Sequence, residues 1–147
     1  KLYKDNNYKN ILLRYHHKNK WKFPIYHTIH SDGPPHKRTY IMGVENPNLS
    51  DYDKKKYMKD NNFKELCLSF GRGYSKKEGE QAAGKMALIL HGALNNDQYD
   101  MEDIFYPDFD NMKDNDELLD NKSVNLTNTT ENNEELSDET DSEYENT

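Results

Sequence analysis

What this 147-residue chain has little of narrows it first. Its one cysteine, Cys67, has no second thiol in the chain to pair with, so an internal disulfide is excluded and a stapled secreted scaffold is not expected. No run of apolar residues approaches the ~20 needed to cross a bilayer, and no signal-peptide pattern opens the chain. These absences point to an intracellular protein, cytoplasmic or nuclear, with no membrane partner. Hydrophobic residues make up only 33% of the sequence and the mean hydropathy is -1.24. That is too little apolar material for a core running the whole length, so part of the chain is expected to stay unfolded. The chain opens on Lys1 where a complete reading frame opens on methionine, which reads as a piece of something longer.

What is present is charge, and it is unevenly placed. Residues 1–95 hold 18 Lys and Arg against 9 Asp and Glu, a balance of +9, while residues 96–147 hold 2 against 18, a balance of -16; together they give the net -7. A basic part joined to an acidic one suggests a polyanionic partner for the first. The acidic, Asn/Ser/Thr-rich stretch 96–147 reads as a disordered tail. Within it, the mixed acidic and aromatic segment 101–109 looks like a protein-binding piece, or one that extends the last helix or packs on the domain.

Periodicity then supplies elements for a domain at 1–95. Tyr8, Ile11, Leu12 and Tyr15 recur at helical spacing after Asn6 and Asn7, predicting a helix over 7–18. β-Branched and aromatic residues over 24–30 predict a strand that ends in the turn-formers Ser31-Asp32-Gly33-Pro34-Pro35. Alternation predicts further strands over 37–45 and 64–70, separated by a long polar loop at 46–62. Ser75-Lys76-Lys77-Glu78 has the form of a capping box, in front of a stripe of small apolar residues that predicts a helix over 76–91. The expected fold is α+β: an α-β-β-β-α order, with a three-stranded antiparallel sheet and both helices on one face.

Three stretches over that framework carry a resemblance. Trp21-Lys22-Phe23-Pro24-Ile25-Tyr26, Gly33-Pro34-Pro35-His36 and Gly71-Arg72-Gly73-Tyr74-Ser75-Lys76-Lys77-Glu78-Gly79-Glu80-Gln81-Ala82-Ala83 together resemble a double-stranded RNA-binding domain, with its core at about 7–94. A-form RNA has a major groove too deep and narrow to read and a shallow minor groove lined with 2′-hydroxyls, so such a domain grips shape at separated points along ~16 base pairs. The resemblance implies that Lys76 and Lys77, with Ser75 and Arg72 beside them, meet phosphate at a helix start. It implies that His36 enters the minor groove from a turn shaped by Gly33, Pro34 and Pro35. Arg14 on the first helix is a third, less typical contact, and Glu80 stands where many members carry another lysine.

The terminal place of the domain and the Ser75-to-Ala83 stretch are most like the C-terminal domain of ribonuclease III-type enzymes. The implied function is sequence-independent binding of duplex RNA for an endonuclease domain lying upstream of Lys1. Mg2+ and homodimerisation are expected only with that upstream domain, and no catalytic residue and no cofactor are expected in this chain. The alternative is a stand-alone protein that sequesters duplex RNA or acts as an adaptor. His16, His17, His27, His30, His36 and Cys67 do not form two pairs at zinc-ligand spacing, so no metal site is expected.

Overall fold

The computed structural model describes residues 7–112. The expected tail from 113 onward lies outside the described residues. The chain divides into a compact unit ending at Pro107 and a second starting at Asp108; the elements of the first are as follows.

Its elements run α1 (Tyr8–Lys18), β1 (Tyr26–Asp32), a 3-10 turn (Pro35–Lys37), β2 (Thr39–Glu45), α2 (Asp51–Lys59), α3 (Phe63–Leu66), β3 (Cys67–Gly73) and α4 (Lys76–Leu90), then 3-10 turns at Asn96–Gln98 and Met101–Asp103. The strands form one antiparallel sheet in the order β1-β2-β3. The expected α+β architecture, with α1 and α4 together on one face, is what the chain adopts.

Alternation along β3 explains how close α4 can lie. Ser69 and Gly71 sit opposite Val44 and Met42 on the helix-bearing face, and the Ser69 hydroxyl donates to the Ala83 carbonyl at 2.8 Å. A Cβ on Gly71 would meet the Ala83 nitrogen at 2.2 Å, so any side chain there would push the helix away. Leu12, Val44, Ala83, Ala87 and Leu88 then close the core, with Tyr8, Ile11, Tyr15, Tyr26, Leu68 and Leu94 packed around them.

The long connection departs from the expected polar loop, because residues 51–66 carry two short helices. Ser50 caps α2 by accepting from the Asp53 N–H at 3.1 Å, and Asp51, Asp53, Lys56 and Lys59 suit the helix dipole at the two ends. α2 buries none of its residues, and it lacked the apolar stripe by which a helix shows in sequence. Lys54 ties it to the sheet at 3.0 Å from Glu45, whose other oxygen lies 2.6 Å from His27.

The expected boundary after residue 95 also moves. Residues 96–107 belong to the same unit as the sheet, and the aromatic residues of 101–107 touch its second face: Tyr106 meets Phe70 edge-on at 5.6 Å. Composition assigned this stretch to the tail because its charge is acidic, yet those same carboxylates and rings find basic and apolar partners on β3 and α4.

Candidate nucleic-acid interface

Ser75 adopts extended backbone (φ -146°, ψ 164°) and its hydroxyl accepts from the Glu78 N–H at 3.1 Å, which starts α4 at Lys76. The return half of the capping box is shifted by one residue. Glu78 Oε1 accepts from the Tyr74 N–H at 2.8 Å, so the carboxylate is turned back toward the strand end and away from the helix mouth. Lys76 is half-buried and Lys77 exposed. Two first-turn lysines, the first-turn N–H groups and the helix dipole together make the start of α4 its positive end.

The β1–β2 turn is built for rigidity. Gly33 has φ +98°, and a Cβ on it would press on the Lys37 carbonyl at 2.8 Å. Asp32 accepts from the Gly33 N–H at 2.8 Å. The Pro34 carbonyl accepts from the Lys37 N–H at 2.9 Å, making a one-turn 3-10 segment with His36 exposed at its centre. Arg38 staples the base of the turn: its guanidinium donates to the Gly33 carbonyl at 2.6 Å and to the Ser31 hydroxyl at 3.1 Å. The sequence reading missed Arg38, whose signal was a lone arginine at the first residues of a strand.

Sheet register brings these two groups together. Asp32 pairs with Thr39 and Ser31 with Tyr40, while Tyr40 also pairs with Gly73. The His36 turn and the Gly73-to-Lys76 exit therefore leave the same end of the sheet, the turn feeding β2 directly beside β3.

α1 is fixed to this assembly by Gln81, one turn beyond Lys77. Its Oε1 accepts from the Tyr8 and Lys9 N–H groups at 2.7 and 3.2 Å, and its Nε2 donates to Asn7 Oδ1 at 3.0 Å. Arg14 lies exposed farther along the same helix, on the side away from buried Lys9, Leu12 and His16. Glu80 does not face solvent as a lost lysine would; it forms a buried ion pair with Lys9 at 2.6 Å. Its negative charge is neutralised inside the α1–α4 contact and does not repel a ligand at the helix start.

Arg72 does not join the group. Alternation in β3 turns it away from α4, where its guanidinium lies over the Phe105 ring at 5.2 Å. Its place beside the lysines in sequence was misleading because neighbouring strand residues face opposite ways. The Cys67 thiol is buried, and burial followed by the nearby Glu45 charge pushes its pKa up to about 12, which removes it as a nucleophile. Among the described residues, no three His, Cys, Asp or Glu side chains come together as a metal cluster.

Comparison with known proteins agrees with this geometry. The family described as "Double-stranded RNA binding motif" matches residues 8–90. The probable ribonuclease 3 of Acanthamoeba polyphaga mimivirus is 32% identical over 81 residues, which is 55% of this chain and 12% of that protein. The ribonuclease 3 of Syntrophotalea carbinolica is 38% identical over 65 residues, 44% of this chain and 21% of that protein. The chain thus spans a small part of the length of these curated relatives. With more than half of its residues matched, and with α1, the sheet and α4 assembled as described, this chain belongs to the double-stranded RNA binding motif family.

Proposed function

We propose that the chain grips double-stranded RNA without regard to sequence, as the substrate-binding part of a ribonuclease III-type endoribonuclease whose catalytic domain lies upstream. The observation that carries the binding reading is the common exit of the His36 turn and the Lys76–Lys77 helix start from one end of the sheet. Lys76, Lys77 and the capped N-terminus after Ser75 meet phosphates across the major groove. His36, presented by Gly33, Pro34 and Pro35, meets 2′-hydroxyls in the minor groove, and Arg14 adds a contact from α1. No base edge is read, because the partners are phosphate and sugar.

The nuclease assignment is supported by the two relatives named ribonuclease 3. In it, this chain delivers substrate, and Mg2+ and dimerisation belong to the upstream domain. Titration of a 20-base-pair RNA duplex and the DNA duplex of the same sequence, over a range of salt, tests the binding reading. Tight, salt-dependent RNA binding with weak DNA binding is expected; equal affinity for the two defeats it. The residues preceding Lys1 test the nuclease reading, since an acidic catalytic signature there supports it and an unrelated leader points to a stand-alone binding protein.

A further inference from the structure

Residues 101–107 run beside the β3 edge and α4 and touch them by three kinds of chemistry. Asp103 Oδ2 lies 3.0 Å from Lys85 Nζ. The Phe105 ring receives the Arg72 guanidinium at 5.2 Å, and Tyr106 meets the buried Phe70 ring edge-on at 5.6 Å. A cavity of about 150 Å³ remains between the segment and the domain, with Gly71, Ala82 and Glu102 completing its wall. Partial burial opposes the charge on Lys85, but its bond to Asp103 and its contact with Tyr8 outweigh that and raise its pKa. The two groups thus favour their paired, charged forms.

The segment is only partly covered, with Pro107 buried at its end. Met101 is 80% exposed, Tyr106 60% and Ile104 42%, so much of its apolar surface still faces water. Three anchors spaced over four residues, with open apolar surface between them, are the pattern of a bound linear peptide more than of a core element. The groove supplies a cation for a carboxylate, a guanidinium for a ring and a ring for a second ring.

We propose that this β3–α4 groove is a recognition site for acidic–aromatic peptide segments of a protein partner, carrying an acidic residue followed two and three positions later by aromatic rings, and that Asp103, Phe105 and Tyr106 fill it in cis. The proposal stands apart from the RNA-binding reading, since Arg72 faces away from the helix-bearing side of the sheet. A covalently attached segment sits at about millimolar effective concentration, so a partner peptide competes with it and gains access when it lifts.

The test uses the full chain and a fluorescent peptide with the sequence of residues 99–107. Replacing Asp103, Phe105 and Tyr106 together by Ala empties the groove and should tighten peptide binding at least ten-fold (on the order of the occupancy advantage of a short tether). Adding Arg72→Ala and Lys85→Ala should abolish that gain. If the triple variant fails to fold, Asp103→Lys alone, which leaves both ring contacts in place, should still tighten binding several-fold (about the weight of one ion pair). Equal peptide binding by unmodified and loosened chains overturns the proposal. So does binding indifferent to Arg72 and Lys85, or displacement of the peptide by a 20-base-pair RNA duplex, which would assign the groove to nucleic acid.

Discussion

The two ends of α4 differ in nearly every physical respect. At its start, exposed Lys77 and half-buried Lys76 follow the Ser75 cap, with exposed His36 on the neighbouring turn. At its finish, His91 stacks on Tyr15 at 5.1 Å and tilts against Trp21 at 5.2 Å, while Trp21 and buried His16 meet edge to face at 5.0 Å. His16 donates from Nδ1 to the Lys22 carbonyl at 2.9 Å, which leaves Nε2 buried without a partner in the neutral ring. Desolvation lowers the pKa of both histidines, with the nearby His16 adding to the effect on His91. One end carries two lysines and the other packs histidines whose pKa values burial lowers, so changes at the two ends should separate binding from stability.

The largest effect is expected between the two ends, where α1 meets α4. Glu80→Ala removes the buried carboxylate partner of the Lys9 ammonium and should cost about 3–5 kcal/mol of stability, read as a lower denaturation midpoint. A loss under about 1 kcal/mol would show that Lys9 finds water instead. Next comes the open end. Lys76→Ala with Lys77→Ala removes two charge-assisted bonds of ~1.5 kcal/mol each, so RNA affinity should fall roughly 100-fold with stability nearly unchanged. The salt slope should flatten by about two phosphate equivalents for every duplex sequence. Loss of stability in place of binding would erase the contrast.

The smallest effect sharpens the closed end. Because folding depresses the His16 and His91 pKa values, the unfolded chain binds more protons as pH falls below the ordinary value of 6.5. Stability is therefore full above that pH and declines below it. His91→Phe keeps a ring against Tyr15 and Trp21 while removing one proton site, so thermal midpoints measured from pH 7.5 to pH 5 should fall less steeply than in the unmodified chain. An unchanged slope would place the pH dependence elsewhere.

How much of this was legible in sequence follows from the range of the interactions. The capped start of α4 lies within four residues, and the alternation of β2 within seven, so local pattern revealed both. The Lys9–Glu80 pair joins residues 71 apart, and Gln81 reaches α1 across a similar separation; no local pattern carries them. α2 reads as loop in sequence because its Tyr52, Tyr57 and Met58 make no apolar stripe, and Lys54 on Glu45 ties it to the sheet. Arg72 is the instructive miss: its alternation with Gly71 and Gly73 was visible, yet its nearness to the lysines in the motif outweighed that signal. The role proposed for His36 rests on resemblance alone, since an exposed turn histidine carries no chemical label of its own.

The most direct measurement is an amide NMR titration of the full chain with a 20-base-pair RNA duplex. The account predicts that signals of Gly33, His36, Lys37, Arg38 and residues 74–79 shift together at one affinity, with those of Trp21 and His91 left in place. Shifts centred on Trp21 and His91, with the His36 turn and the α4 start unmoved, would contradict it.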